Sequence, residues 1–127
     1  MDRLTDLAAS RRVPLYGMLE LTWRCNFRCV HCYQDGLRER HRELSTVEWT
    51  TLIDELVGLG CAFLTLTGGD PLLRRDFAAI YSHAFDRGFV ITVFTNAALL
   101  DAEVLALWAR KPPRKVEISL YGMSAEK

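Results

Sequence analysis

The 127-residue sequence has no net charge, because 16 Lys and Arg offset 16 Asp and Glu. Its sequence pI is about 6.8, so no global field draws it to nucleic acid or to an anionic membrane. No apolar run approaches bilayer-spanning length. The first residues carry Asp2, Arg3 and Asp6 without a continuous apolar segment, which does not read as a secretory signal. Cysteine is scarce, with four in all. Three of the four are bunched, which speaks against a disulfide framework and for a reducing cytoplasm. Half of the residues are hydrophobic, enough for the core of one small domain or of part of a larger one.

The bunched cysteines lie in Cys25-Asn-Phe-Arg-Cys29-Val-His-Cys32. One loop can turn several thiolates toward a common centre, so cysteines this dense point to a bound metal. Most zinc ribbons pair two-residue spacings. Spacings of three and then two suit an iron–sulfur cube, whose thiolates sit on separate irons. Three ligands for four irons leave one iron open, and an open iron is where chemistry happens. On spacing alone a structural zinc site stays open as the alternative, with His31 or His41 joining the thiolates.

Along the chain, residues 1 to about 17 read as an irregular or weakly helical lead-in, with Pro14 stopping any helix. Leu19 to Thr22 reads as the first strand, followed by the cysteine loop and a charged connection. Ser45-Thr-Val-Glu48 is a capping box. After it Trp49, Leu52, Ile53, Leu56 and Val57 fall on one helical face until Gly58 and Gly60 end the helix. Phe63 to Thr67 is the second strand. Gly68-Gly69-Asp70-Pro71 breaks it, and a helix over about Arg75 to Arg87 buries Phe77, Ile80, Tyr81 and Ala84. Val90 to Thr95 is the third strand. Asp101 caps a helix burying Val104, Leu105 and Trp108, which Pro112-Pro113 ends. Lys115 to Leu120 is the fourth strand. The pairs Arg11-Arg12, Arg74-Arg75 and Arg114-Lys115 read as solvated loop charges, and 38–43 as a mixed-charge surface loop. Cys61 reads as a small core residue, and His41 and His83 as surface residues.

Strand and helix thus alternate four times, which predicts right-handed crossovers and a parallel sheet. Within the strands Leu19, Leu21, Leu64, Leu66, Ile91, Val93, Val116, Ile118 and Leu120 would face covering helices. The other face carries Glu20, Thr22, Thr65, Thr67, Thr92, Phe94, Glu117 and Ser119. A doubly wound sheet should be apolar on both faces, whereas a barrel with a polar lumen gives this alternation. Four strands cannot close one, so the expected fold is α/β, a partial (β/α) barrel of about four βα units. The unusual residues all sit at strand ends: the cysteines follow the first, Gly68 to Pro71 the second and Asn96 the third, while Ser119 with Tyr121 ends the fourth. Carboxyl ends of strands are where such barrels build their active sites.

From about Leu15 onward the sequence resembles the radical S-adenosylmethionine (SAM) enzymes. The resemblance is carried by Leu21-Thr-Trp-Arg-Cys-Asn-Phe-Arg-Cys-Val-His-Cys-Tyr33, Thr67-Gly-Gly-Asp-Pro-Leu72, Phe94-Thr-Asn96 and Val116-Glu-Ile-Ser-Leu-Tyr-Gly122. Their style is similar to the subgroup with a C-terminal SPASM cluster domain, which modifies peptides or builds cofactors. The resemblance implies that Cys25, Cys29 and Cys32 hold a 4Fe–4S cluster and that its fourth iron takes the methionine half of SAM. Reductive cleavage of SAM would then give a 5′-deoxyadenosyl radical that abstracts hydrogen from a peptide or small-molecule substrate. A flavodoxin or ferredoxin would supply the electron.

The resemblance also implies SAM contacts by Gly68, Gly69 and Asp70 at the amino group. Asn96 and Ser119 would serve ribose or carboxylate, and His31 the adenine. Asp70 stands where most members carry Glu, so it would act through water or leave the work to backbone carbonyls; Asn96-Ala97 stands for the usual Asn-Gly. It further implies a division at 1–17 (lead-in) and 18–127, an N-terminal portion of the core ending after the fourth strand. No residue is singled out as the donor that returns hydrogen, and none separates peptide from small molecule.

Overall fold

The computed structural model describes residues 3–34 and 42–120. The element order is α1 (Arg3–Ser10), β1 (Tyr16–Glu20), α2 (Thr46–Gly58), β2 (Phe63–Thr67), α3 (Phe77–Asp86), β3 (Val90–Thr95), α4 (Ala102–Arg110) and β4 (Lys115–Ile118). The four strands are all parallel and stand in chain order β1-β2-β3-β4. Each crossover adds its strand on the same side, the progression of a (β/α) barrel wall. The expected partial barrel is therefore the observed fold. Among the described residues, no helix is long and apolar enough to cross a membrane.

Local chemistry sets the helix starts. Ser45 accepts a hydrogen bond from Glu48 N while the Glu48 carboxylate accepts from Ser45 N, closing the capping box of α2. Asp101 accepts from Val104 N at the start of α4. Ile53, Ile80, Tyr81 and Ala84 are fully buried against Leu64, Leu66, Ile91 and Val93 on the covered sheet face. Each of the buried Leu, Ile and Val side chains among them contributes about 1.5–3 kcal/mol by leaving water.

Several expectations shift. The first strand begins at Tyr16, three residues earlier than its polarity pattern suggests, because Tyr16↔Phe63 and Gly17↔Leu64 already pair. A short 3₁₀ turn at Pro71–Leu73 precedes α3. Leu105 is 56% exposed and Leu107 is buried in its place, so the apolar stripe of α4 runs through Val104, Leu107 and Trp108. Ile118 and Leu120 are exposed while Val116 is only partly covered; among the described residues β4 is the edge strand, paired with β3 alone. The open face is polar only toward the carboxyl ends. At the other end it shows Tyr16 stacked on Phe63 at 4.7 Å and an exposed Met18.

Arg74 overturns the expectation of a solvated pair. It is buried, because the chain around it offers acceptors in every direction its guanidinium points. Asp76 accepts from Arg74 Nε (2.8 Å) and Nη2 (2.7 Å) and from Thr46 Oγ1 (2.6 Å), tying the start of α2 to that of α3. Those hydrogen bonds, Arg74's foremost, hold the Asp76 carboxyl down at about 2.

The β1–β2 ladder continues past the strands. Leu21 N donates to Thr67 O, Gly69 N to Thr22 O and Asp70 N to Arg24 O, at 2.8, 2.8 and 2.9 Å. The chain entering the cysteine loop therefore lies on the Gly-Gly turn. A Cβ on Gly69 would stand 2.2 Å from Arg24 O, and one on Gly68, at φ 145°, 2.4 Å from Thr22 O. Only glycine permits this approach.

Three outcomes are expected. Gly69→Ala should destabilise the protein by about 2 kcal/mol or more through backbone displacement. Gly58→Ala, whose Cβ meets nothing, should change it by less than about 1 kcal/mol; urea unfolding reads both. Ile80→Ala should cost about 2–5 kcal/mol in the same assay and Leu105→Ala under about 0.5. Because Asp76 is depressed from 3.8 to about 2, the unfolded chain binds the extra proton as pH falls through that window. Stability is lost there on acidification, and Asp76→Asn should flatten that part of the stability–pH curve while lowering stability at pH 7.

Candidate active site

A cavity of about 400 Å³ opens at the carboxyl ends of the strands. Cys25, Cys29 and Cys32 all stand on its wall, with His31 between the last two. Gly68 and Gly69 enter from the end of β2, Asn96 from β3 and Ser119 from beyond β4. Four separate strand ends thus converge on one space. The three cysteines are half-buried, and none of the four described cysteines forms a disulfide. Cys61 is buried beneath β1 and β2.

Asp70 is placed differently from the rest. It is fully buried and does not line the cavity. Its Oδ1 accepts from Leu72 N at 3.0 Å. Its Oδ2 accepts from Thr95 Oγ1 and from Asn96 N, both at 2.8 Å. The carboxylate thus fastens the turn after β2 to the end of β3. Asn96 passes the connection onward, since its Nδ2 donates to Asn26 Oδ1 at 2.8 Å and lies 3.7 Å from Cys25 Sγ. Phe27 N also donates to Cys25 Sγ, at 3.4 Å. The next residue, Ala97, has φ 64°, left-handed backbone that favours glycine. Its N–H is held by Thr95 Oγ1 at 3.1 Å.

The lumen carboxylates part company. Glu20 accepts from Tyr33 Oη at 3.0 Å. Burial, with Glu20's carboxylate adding to it, pushes the Tyr33 phenol up. Glu117 instead pairs with Lys115 at 2.7 Å. His83 sits on the surface between α3 and α2, 2.8 Å from Asp54. His41 lies outside the described residues.

Some residues on the cavity wall carry no obvious signal in the sequence. Phe27 and Gln34 are two of them. Gln34 is 1% exposed, and neither atom of its amide meets hydrogen-bond geometry with a described residue. Its amide does bear on the Tyr33 phenol beside it, and the side chain stands on the cavity wall. Leu120 is on that wall too, because the chain has left the strand register that would have sent it to the helices. Behind the wall, Glu43 accepts from Thr22 Oγ1 and from Trp23 N at 3.1 Å. In the sequence Glu43 sits in a run of mixed charges that reads as solvated.

The donor set fits an iron–sulfur cube. Three thiols from one loop face one cavity. A cube spreads its thiolates over separate irons, so one loop can supply all three.

Comparison with known proteins gives the family. The model of the radical SAM superfamily matches residues 19–126. The chain is 34% identical over 126 residues to the PqqA peptide cyclase of Rhodopseudomonas palustris, covering 98% of this chain and 33% of that protein. It is 36% identical over 113 residues to the mycofactocin maturase MftC of Mycolicibacterium smegmatis, covering 89% and 29%. It therefore spans about a third of the length of these curated relatives. In fold it is similar to Streptococcus suis SuiB bound to S-adenosylmethionine, with a TM-score of 0.72 and 16% identity over 91% of this chain and 26% of that one. BtrN in complex with AdoMet and 2-DOIA gives a TM-score of 0.73 and 17% identity, covering 87% and 47%. With a cysteine loop, a Gly-Gly turn and a strand-end asparagine meeting in one cavity, this chain belongs to the radical SAM superfamily.

Proposed function

We propose that this chain is the cluster- and SAM-binding part of a radical SAM enzyme that modifies a peptide or builds a cofactor. The observation that carries it is the convergence of Cys25, Cys29, Cys32, Gly68, Gly69, Asn96 and Ser119 on one cavity from four strand ends. Cys25, Cys29 and Cys32 would hold the 4Fe–4S cluster. Such a cluster supplies the electron that cleaves SAM to methionine and a 5′-deoxyadenosyl radical, the species that takes hydrogen from the substrate.

The chain's own residues then divide the binding. Backbone carbonyls of Gly68 and Gly69 receive the ammonium of SAM, because glycine lets the backbone come close. Asp70 braces rather than binds, since its oxygens are occupied by Leu72, Thr95 and Asn96. Asn96 and Ser119 face ribose or carboxylate, and His31 the adenine. A peptide substrate is favoured because the relatives include a peptide cyclase and SuiB has been crystallised with the precursor peptide SuiA. The electron comes from a flavodoxin- or ferredoxin-like donor in the cytoplasm, where unpaired thiols persist.

Anaerobic reconstitution with iron and sulfide tests this. The protein should turn brown, bleach with dithionite and form 5′-deoxyadenosine when SAM is added. Cys25→Ala should lower cluster content severalfold and abolish the nucleoside. A colourless protein holding one zinc would overturn the proposal in favour of a zinc-binding module.

A further inference from the structure

The cysteine loop is fastened at both of its described ends by one buried guanidinium. Arg74, just after the 3₁₀ turn, donates from Nη1 to Leu21 O at 2.8 Å, where the chain leaves β1. It donates from Nη2 to Leu44 O at 3.0 Å, where the chain approaches α2. Asp76 takes the remaining edge of the fork. Glu43 lies 3.6 Å from Arg74 Nη1 and 3.7 Å from Arg24 Nη2, and it grips Thr22 and Trp23 from the far side of the loop. Residues 21–24 and 43–44 are thereby drawn to one point.

Arginine suits this position because its five donors lie in a rigid plane. Lysine could not serve carbonyls on both sides of the loop and a carboxylate at once. Leaving a buried guanidinium partly unpartnered is costly, so both loop ends must be in place for Arg74 to be satisfied. Arg74 does not reach the cavity wall, so any effect on the site passes through the loop. We infer that Arg74 and Glu43 form a latch that closes the cysteine loop and sets the spacing of Cys25, Cys29 and Cys32 before a cluster arrives. Ordering the loop in advance removes part of the entropy that cluster binding would otherwise spend. What the loop holds rests on the radical SAM reading; the latch is a property of the metal-free protein.

Hydrogen exchange on metal-free protein tests the latch. In Arg74→Lys and Glu43→Ala, amides of residues 21–34 should exchange at least about tenfold faster, while those of β2 and β3 keep wild-type protection. After reconstitution both variants should lose iron to a chelator faster than wild type and show a broadened electron paramagnetic resonance signal of the reduced cluster. Unchanged exchange across 21–34 with wild-type iron retention would overturn the latch. Should Arg74→Lys fail to fold, Glu43→Ala carries the same test, because Glu43 is partly exposed. A wild-type protein that takes up no cluster would sink the radical SAM reading instead, and the exchange comparison would still decide the latch.

Discussion

The backbone ladder between the chain leaving β1 and the Gly68-Gly69 turn governs the rest of the site. Three hydrogen bonds carry the β1–β2 pairing into the two loops, and the approach is so close that a single methyl group on Gly69 would occupy the space of Arg24 O. The cysteine loop has no strand or helix of its own among the described residues. Its position is therefore inherited from that contact, and the cavity wall inherits its position from the loop.

Charge does the second part of the work, and it does so out of sight. Asp70 connects β2 to β3 through Thr95 and Asn96. Arg74 connects both ends of the cysteine loop to the start of α3. A carboxylate and a guanidinium four residues apart thus point in different directions, one under the turn and one under the loop. Both are buried, which is tolerable only because each is surrounded by donors or acceptors at hydrogen-bond distance. What meets a ligand is mostly backbone and small side chains, while the ionised groups hold them still.

Much of the fold was legible because its signals are local. The capping box at Ser45, the strands at Phe63 and Val90, and the buried face of α3 appear where side-chain period and capping chemistry put them. The early start of β1 was not legible, since Tyr16 and Met18 are exposed and the strand exists there only because Phe63 and Thr65 pair with it. Likewise Leu105 and Leu107 are indistinguishable by type. Which of them is buried depends on how α4 rotates against the sheet.

The same division holds at the site. The sequence by itself determined that three thiols, a Gly-Gly turn, an asparagine and a serine would each follow a parallel strand, because strand, turn and cysteine spacing are written in neighbouring residues. Only the tertiary structure decided that Asp70 turns inward to Asn96, that Arg74 is buried, and that Gln34 stands on the cavity wall. Each of those depends on partners twenty or more residues away, or on the shape of a cavity that no single segment encloses. A charged residue is solvated or buried according to what the fold brings to it, and that is not encoded in its immediate neighbours.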